Sequence, residues 1–256
     1  MNRKKIVFIT GATSGFGKAI AYKYAQEGYD LILNGRREDR LKIIEKELTD
    51  LYNVKVISLA FDVRDSEKVS KAIIGLPEDS KKIDILVNNA GLAAGLSTIQ
   101  EGDINDWNTM IDTNIKGLLY VSRIIMPFMV SQKSGHIINI GSIAGKEAYL
   151  RGNIYCATKF AVDALTKSMR IDLLEYGIKV TSIDPGAADT EFSLVRFNGD
   201  AERAKKPYEG YEPLHADDIA EIVYFATSRP PHVVLNDIVV TPLAQANTSY
   251  MYKKPS

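Results

Sequence analysis

The chain has 256 residues, 45% of them hydrophobic, and its 32 Lys and Arg residues are balanced by 32 Asp and Glu residues. Because no net positive charge is available to neutralise phosphates, the composition disfavours a DNA- or RNA-binding protein. The single cysteine, Cys156, excludes an internal disulfide, and the three scattered histidines have no metal-ligand spacing, so we expect a metal-free protein of the reducing cytoplasm.

The N-terminal residues Arg3, Lys4 and Lys5 precede the short apolar run Ile6–Ile9. A secretory signal needs an apolar region of about 7 to 15 residues, and a transmembrane helix needs about 20. Since Gly11 follows almost at once, we expect neither, and we interpret the run as a buried β-strand.

Short aliphatic or β-branched runs alternate with longer amphipathic runs along the chain, which is typical of βαβ units that build a parallel sheet. The predicted strands are Lys5–Thr10, Asp30–Asn34, Val54–Ala60, Ile83–Asn88, His136–Gly141, Lys179–Asp184 and Asp237–Val240. The predicted helices are Gly15–Gln26, Arg37–Tyr52, Ser66–Ile74, Ile104–Gln132, Asn153–Tyr176 and Ala216–Thr227. We therefore predict an α/β fold, with a single doubly wound Rossmann-type domain over residues 1–256 and a mostly parallel sheet of seven strands.

One segment, residues 187–213, breaks this alternation, since it mixes Gly, Pro and charged residues with isolated apolar ones. It follows a central predicted strand, and ligands of open α/β sheets bind outside the carboxyl ends of the strands. We predict a substrate lid here, and the alternative is a surface loop. The tail Tyr250–Ser256 is predicted to be less ordered.

The segment between the first predicted strand and the first predicted helix is rich in glycine. It reads Thr10-Gly11-Ala12-Thr13-Ser14-Gly15-Phe16-Gly17. Glycines permit a tight turn and let backbone N–H groups approach a pyrophosphate, while the helix N-terminus presents its positive dipole end. We predict a dinucleotide site, although a purely structural turn also uses glycine.

This turn resembles the T-G-x-x-x-G-x-G fingerprint of the short-chain dehydrogenases/reductases, and three later motifs continue the resemblance in the family's order. They are Asp62-Val63 after the third strand, Asn88-Asn89-Ala90-Gly91 after the fourth, and Pro185-Gly186 followed by Thr190 after the sixth. The resemblance implies that the first of these lies beside the adenine, the second shapes the cofactor pocket, and the third borders the nicotinamide carboxamide.

The predicted catalytic residues follow the same family order. Tyr155 and Lys159 lie four residues apart in a predicted helix, so their side chains project from one face. Together with Ser142 they resemble the family's Ser and Tyr-x-x-x-Lys elements. The resemblance implies that Tyr155 is the general acid/base, that Lys159 lowers its pKa and holds the nicotinamide ribose, and that Ser142 hydrogen-bonds the reacting oxygen. Asn114 resembles the family asparagine that supports a water-linked proton relay.

Each of these four residues also has a structural interpretation. Ser142 would cap a turn, Tyr155 would be a half-buried aromatic residue, Lys159 a solvated charge and Asn114 a hydrogen-bonding residue inside a helix. All four in family order behind a dinucleotide turn favour the catalytic interpretation. Cys156 is interpreted as a packing residue, because neighbours in a helix point about 100° apart.

The second strand ends in Asn34-Gly35-Arg36-Arg37. NAD-dependent relatives have an acidic residue for the ribose 2′-hydroxyl where this chain has Gly35, so no carboxylate repels a 2′-phosphate there. Arg36 and Arg37 are suited to clamp that phosphate by charge-assisted hydrogen bonds. We predict NADP(H) as coenzyme, with Arg36 the main determinant and Arg37 a secondary one. The alternative is a solvated helix start whose own acidic residues partly neutralise both arginines.

Three longer blocks, residues 83–93, 110–114 and 190–197, resemble the NADP-dependent 3-hydroxy acid dehydrogenases, which include serine and allo-threonine dehydrogenases. The resemblance implies reversible oxidation of a small 3-hydroxy acid. A broad-specificity carbonyl or dicarbonyl reductase is the alternative, and a non-catalytic NADP-binding regulator is a third interpretation. The resemblance also implies a homotetramer formed through the long predicted helices Ile104–Gln132 and Asn153–Tyr176.

Arg196 lies in the last of these blocks and inside the predicted lid. We hypothesise that it pairs with the substrate carboxylate or positions the lid around it. A surface or inter-subunit salt bridge is an equally good interpretation, and Arg203, Lys205 and Lys206 are nearby basic residues.

Overall fold

Seven β-strands form one sheet in this computed structural model, which describes residues 3–196, 199–200, 202 and 206–254. The strand order is β3-β2-β1-β4-β5-β6-β7. The strands are β1 (Ile6–Ile9), β2 (Asp30–Gly35), β3 (Val56–Ala60), β4 (Ile85–Asn88), β5 (Gly135–Ile140), β6 (Ile178–Pro185) and β7 (Asp237–Val240). Every pair of neighbouring strands is parallel, so the predicted α/β fold is confirmed, and among these strands the sheet is parallel throughout.

Helices cover both faces of the sheet. They are α1 (Gly15–Gln26), α2 (Glu38–Tyr52), α3 (Ser66–Ile74), α4 (Ile104–Ile111), α5 (Leu118–Gln132), α6 (Asn153–Asp172), α7 (Glu191–Arg196) and α8 (Ala216–Thr227). Alternate residues of β1 point to opposite faces: Val7 and Ile9 pack with α1, α2 and α8, whereas Ile6 and Phe8 pack with α3, α5 and α6. The strands are therefore apolar on both sides, as buried parallel strands require.

Two predicted helices have different bounds from those expected. The run Ile104–Gln132 is not one continuous helix, because a π-helical segment, Asp112–Gly117, separates α4 from α5. The side chain of Asn114 in this segment hydrogen-bonds a neighbouring loop, and Gly117 lies so close to Val63 that a Cβ would be 2.7 Å from its Cγ2. The predicted helix Asn153–Tyr176 ends at Asp172 and continues as a short 3₁₀ turn.

The C-terminal tail, predicted to be less ordered, is hydrogen-bonded as far as Lys254. Tyr252 N donates to Ala244 O at 2.9 Å, and Lys254 N donates to Gly210 O, in the predicted lid, at 2.9 Å. The last two residues of the predicted tail lie outside the described residues.

The topology brings the candidate motifs together. The chain adds β2 and β3 on one side of β1 and then β4 to β7 on the other side, so the order in which strands are added reverses between β1 and β4. Parallel α/β sheets bind ligands at such a switch point, beyond the carboxyl ends of the strands. The glycine-rich turn follows β1, Asn89 follows β4, Ser142 follows β5 and Gly186 follows β6. All four motifs therefore lie along one edge of the sheet.

Candidate active site

A cavity of about 590 Å³ follows this edge of the sheet. Its size is within the range of small-molecule sites, which is about 300 to 1,000 Å³. All of the residues predicted for the site line this cavity except Gly17 and Asn114. Those two residues support its walls from behind, as the contacts below show.

The glycine-rich turn lets a ligand approach its backbone N–H groups closely. Gly11 and Gly15 have φ angles of +66° and +51°, a region that favours glycine. A Cβ on Gly17 would lie 2.3 Å from Gly11 O, so the start of α1 packs directly onto the turn. Asn89 holds the turn from the β4 side, since its Nδ2 donates to Thr10 O at 2.9 Å. The turn thus leaves the N-terminus of α1 facing the cavity, which is the geometry of a phosphate site.

The basic corner of the cavity differs from the sequence prediction in its contacts. Arg36 is 61% exposed and its closest carboxylate contact, Asp62, is 4.0 Å away. Arg37 lies across the turn: its Nη2 donates to Thr13 Oγ1 and Ser14 Oγ, each at 2.9 Å. A Cβ on Gly35 would lie 2.5 Å from Thr13 Cγ2. Gly35 therefore makes room for Thr13 besides lacking a carboxylate.

Glu191, which was not predicted from the sequence to belong to the site, lies in the predicted lid and forms ion pairs at this corner. Its carboxylate accepts from Arg37 Nη1 at 3.0 Å and from Arg40 Nη1 at 2.9 Å. Partial burial opposes ionisation, but the two guanidiniums lower the pKa of Glu191 overall. The acid sits only one residue after Thr190, so its proximity to a family motif was the signal available in the sequence.

The three predicted catalytic residues come together at the other end of the cavity. Ser142 follows β5, and its Oγ accepts from Ala144 N at 3.0 Å and donates to Pro185 O at 3.4 Å. Lys159 Nζ donates to Ile140 O at 2.9 Å and lies 5.9 Å from the centroid of the Tyr155 ring. Ser142 and Lys159 are buried, and Tyr155 faces the cavity.

Exclusion of water governs the protonation of this group. Burial raises the pKa of the Tyr155 hydroxyl, and the neighbouring Ser142 hydroxyl and the charge of Arg196 oppose the rise. Burial lowers the pKa of Lys159 to about 8, against the opposing effect of Asp184. Desolvation is thus the largest cause acting on the pKa of Tyr155, and the lowering of that pKa by Lys159 stays a prediction. The Tyr155 hydroxyl is held as a proton donor.

Asn114 is buried beside the catalytic residues. Its Oδ1 accepts from Leu92 N at 2.9 Å, and its Nδ2 donates to Leu92 O at 2.8 Å and to Thr158 Oγ1 at 3.0 Å. A Cβ on Gly91 would lie 3.3 Å from Asn114 Oδ1 and 3.7 Å from Lys159 Nζ. Asn114 therefore fixes the loop after β4 against α6.

The described part of the predicted lid covers the catalytic end. The Phe192 ring lies 5.6 Å from the Tyr155 ring, centroid to centroid. The Arg196 guanidinium lies 5.8 Å from the Tyr155 centroid and 5.7 Å from that of Tyr149, and its Nε donates to Gly95 O at 3.3 Å. Phe192 and Tyr149 were not predicted from the sequence to belong to the site. Of the lid's other basic residues, Arg203, Lys205 and the side chain of Lys206 lie outside the described residues.

Cys156 occupies a packed position rather than a reactive one. It is buried, and a Cβ on Gly152 would lie 2.8 Å from its Sγ. Burial raises the pKa of the thiol. A raised pKa disfavours the thiolate that redox or nucleophilic chemistry needs.

Within the described ranges, every helix is too short or too polar to cross a lipid bilayer.

Comparison with known proteins agrees with the geometry. Residues 5–199 match the family model described as short chain dehydrogenase. An NADP-dependent 3-hydroxy acid dehydrogenase of Schizosaccharomyces pombe is 41% identical over 251 residues, 98% of this chain and 97% of that protein. Sulfoacetaldehyde reductase 2 of Chromohalobacter salexigens is 43% identical over 246 residues, 96% of this chain and 97% of that protein.

A solved structure is similar over nearly the whole chain. It is the closed form of a serine dehydrogenase complexed with NADP⁺, with a TM-score of 0.91 and 41% identity, covering 98% of this chain and 100% of that one. The resemblance predicted from the motifs is confirmed. The chain belongs to the short chain dehydrogenase family.

Proposed function

We propose that this chain is an NADP(H)-dependent oxidoreductase that transfers a hydride between the nicotinamide and the hydroxyl-bearing carbon of a small 3-hydroxy acid, such as serine, allo-threonine or 3-hydroxyisobutyrate. The observation that carries the substrate class is the Arg196 guanidinium, 5.8 Å from the centroid of the Tyr155 ring. A guanidinium at that place suits a carboxylate, which it binds by bidentate, charge-assisted hydrogen bonds. The names of the S. pombe relative and of the similar structure support the same class.

The cradle around the cavity fits a dinucleotide. The turn at Gly11 and Gly15 and the N-terminus of α1 would hold the pyrophosphate, and Asp62 and Val63 would lie beside the adenine. The residues that would border the nicotinamide and its ribose are Asn89, Ala90, Gly91, Tyr155, Lys159, Pro185, Gly186 and Thr190. When bound, the nicotinamide supplies or accepts the hydride.

The protein's own part in the reaction is to hold and move a proton at the Tyr155 hydroxyl. In the reductive direction, this hydroxyl donates its proton to the substrate's carbonyl oxygen, while Ser142 Oγ donates a hydrogen bond to the same oxygen. In the oxidative direction Tyr155 must accept the hydroxyl proton, and the nearby Lys159 ammonium favours the ionised form that does so. Asn114, by fixing Leu92 and Thr158 beside this pair, supports a water-linked path for the proton.

The coenzyme proposed is NADP(H) rather than NAD(H). Among the described residues, the carboxylate contact of Arg36 is a long one, to Asp62 at 4.0 Å, so its guanidinium is available to a 2′-phosphate. Arg37 and Ser14 already face each other across the turn and would complete the site. Relatives and the similar structure are named for NADP as well.

A second function has a specific observation in its favour. The C. salexigens relative is named as a reductase of sulfoacetaldehyde, an aldehyde with an anionic group. Arg196 would bind a sulfonate as readily as a carboxylate. A carbonyl reductase of this kind would use the same Tyr155 proton in the reductive direction only.

A substrate panel separates the two functions. NADP⁺ reduction would be measured with serine, allo-threonine and 3-hydroxyisobutyrate, and NADPH oxidation with sulfoacetaldehyde, uncharged aldehydes and dicarbonyls. We expect the highest kcat/KM within the 3-hydroxy acids. Turnover confined to aldehydes or dicarbonyls would favour the reductase, and coenzyme binding without any turnover would favour the non-catalytic regulator.

The assembly and location follow as further parts of the proposal. We propose a homotetramer of one catalytic domain, residues 1–256 with a lid at 187–213, because apolar side chains of α4 and α6 point to solvent: Ile104 is 65% exposed and Ile171 76%. Light scattering is expected to give the mass of four chains, and a monomer mass would contradict the tetramer. The proposed location is cytoplasmic, which cell fractionation tests.

A further inference from the structure

A cluster of charged side chains lies beneath the catalytic serine and takes no part in the proposed reaction. Lys146 follows the 3₁₀ turn Ile143–Gly145, and its ammonium lies 3.3 Å from Asp184 Oδ2 and 3.8 Å from Asp237 Oδ1. It also forms an ion pair with Asp163 of α6. The cluster thereby joins β6, β7 and α6 to the turn that follows Ser142.

Asp184 is the member of the cluster that touches the site. Its side chain is 2% exposed. Oδ1 accepts the backbone N–H of Ser142 at 3.2 Å and the Ser182 hydroxyl at 2.8 Å. A Cβ on Gly141 would lie 1.9 Å from this oxygen, so the carboxylate occupies space that any other residue at 141 would fill. Asp184 therefore fixes the backbone from which Ser142 projects.

Lys146 connects the same backbone to the helix that carries Tyr155 and Lys159. Asp163, its partner, lies one helical turn after Lys159. A Cβ on Gly145 would lie 2.6 Å from Lys159 O, so the turn before Lys146 packs against the backbone of α6. The ion pairs therefore hold Ser142 and Lys159 in one rigid unit.

The charges of the cluster reach Lys159. Burial lowers the pKa of the Lys159 ammonium, and the negative charge of Asp184 opposes that effect. Burial also raises the pKa of Asp184, which the Ser182 hydroxyl and the Lys146 ammonium counteract. The outer members are Lys167, 2.6 Å from Asp163, and Arg170, 3.7 Å from Asp237, so three cations face three carboxylates.

Stability alone gives a weak reason for such a cluster. Desolvating two charges costs several kcal/mol, and a buried ion pair can often be replaced by apolar residues without loss of stability. The carboxylate of Asp184 instead contacts Ser142, and its negative charge acts on Lys159.

We propose that Asp184, ion-paired with Lys146, is a positioning residue of this enzyme: its carboxylate holds the backbone of Ser142 and places a negative charge at the same strand end, near Ile140, to which Lys159 is bound. The proposal rests on the proposed function for the role of these two groups. Its structural part concerns only the protein and is tested without substrate.

The first test titrates Lys159 in coenzyme-free, full-length protein by NMR of ¹³Cε-labelled lysines, with Lys159→Met identifying the signal. Asp184→Asn should lower the pKa of Lys159, by about half a pH unit or more, because a negative charge is lost nearby. Lys146→Met should raise it, because Asp184 is left unneutralised. Asp237→Asn, the same chemical change at the rim of the cluster, should leave it unchanged.

A general loss of structure would not move Lys159 in opposite directions, so the paired variants separate positioning from folding. An unchanged pKa of Lys159 in both Asp184→Asn and Lys146→Met, or a shift of that pKa in the same direction in both, would overturn the proposal. If Asp184→Asn does not fold, two other variants carry the test. They are Lys146→Met, in which the pKa of Lys159 should rise, and the double variant Asp184→Asn with Lys146→Met, in which both charges of the pair are removed together.

The second test is kinetic. In Asp184→Asn the hydrogen bond to Ser142 N–H loses its charge, and we expect kcat to fall about ten-fold while coenzyme affinity stays within about two-fold. The alkaline limb of its kcat profile should move to lower pH, following Lys159. Wild-type kcat and limb in correctly folded Asp184→Asn would contradict the proposal. A wild-type enzyme inactive on every substrate would contradict the proposed function instead, since the titration does not depend on turnover.

Discussion

The two ends of the cavity are built differently. At the catalytic end, which we call the floor (Ser142, Tyr155, Lys159 and Asp184), side chains are held by backbone atoms of adjacent strands, and Ser142 and Lys159 are only 9% and 7% exposed. At the opposite end, the arginine corner (Arg36, Arg37, Arg40 and Glu191) consists of side chains that are 39–61% exposed and held by contacts to other side chains, including Asp62, Thr13 and Ser14. Contacts to backbone fix geometry more strictly than exposed ion pairs do. We therefore expect substitutions on the floor to have larger effects than those in the corner.

The largest effect is expected for Tyr155→Phe. The lost hydroxyl handles the proton and does not anchor the dinucleotide, so kcat should fall by about 10²- to 10⁴-fold. The Kd for NADPH, measured by fluorescence, should stay within about two-fold of wild type. Tyr149→Phe is the matched control, because it removes a neighbouring hydroxyl from a half-buried tyrosine whose ring also contacts Arg196, and it should retain most of the activity. A near-normal kcat for Tyr155→Phe at saturating substrate would remove Tyr155 as the acid/base.

The next effect concerns Arg196, which lies beside Tyr155 at the catalytic end. If its guanidinium binds the substrate carboxylate, Arg196→Ala loses a hydrogen bond to a charged group, about 1.5 to 3 kcal/mol, or about 10- to 100-fold in kcat/KM. An uncharged carbonyl substrate in the same variant is the internal control and should lose little. Equal losses on both substrates would show that Arg196 positions the lid rather than recognising an anion.

A smaller effect is expected in the corner itself. Arg36→Ala should lower kcat/KM with NADP⁺ about ten-fold and leave the value with NAD⁺ nearly unchanged, because only the 2′-phosphate differs between the coenzymes. Arg37→Ala should have a weaker effect on this ratio, because Arg37 is already engaged by Thr13, Ser14 and Glu191. Equal kcat/KM values for both coenzymes in wild type would favour the alternative interpretation, in which these arginines are part of a solvated helix start. Adding Gly35→Asp tests repulsion of the phosphate, but its Cβ must displace Thr13.

The smallest effect should come from Glu191→Gln. The ion pair is about 40% exposed, and exposed pairs contribute about 0 to 1 kcal/mol, so changes should stay below about five-fold. The direction is informative: freeing Arg37 and Arg40 should tighten NADPH binding, while loosening α7 should raise the substrate KM. Glu38→Gln, which removes an acid that pairs with Lys42 on α2, is the control. Weaker NADPH binding by Glu191→Gln would contradict this role.

The same contrast explains what the sequence could predict. Ser142, Tyr155 and Lys159 of the floor were predictable because strand, turn and helix are each specified by local pattern, and the Tyr155–Lys159 spacing then fixes two side chains on one helical face. Asp184 was assigned only to a strand, since nothing local shows that its carboxylate reaches back to Ser142. Its partner Lys146 is 38 residues away in sequence, and the pair exists only because β5 and β6 are neighbours.

In the corner, the residue types were predictable and their contacts were not. Arg36 and Arg37 follow β2 as expected. The partner of Arg37, however, is Glu191, which is distant from it in sequence. The π-helical break at Asp112–Gly117 was missed for the same reason: the pattern through Ile104–Gln132 is helical throughout, and the break depends on tertiary contacts of Asn114 and Gly117.

The central claim is that a hydride moves between the hydroxyl-bearing carbon of a 3-hydroxy acid and NADP⁺ at this site. The most direct measurement supplies serine or 3-hydroxyisobutyrate deuterated at that carbon, with NADP⁺ and wild-type enzyme, and analyses the reduced coenzyme by mass spectrometry. We predict NADPH that carries the deuterium, and none from Tyr155→Phe over the same time. Unlabelled NADPH, or no NADPH from any 3-hydroxy acid while aldehydes are reduced, would contradict the account.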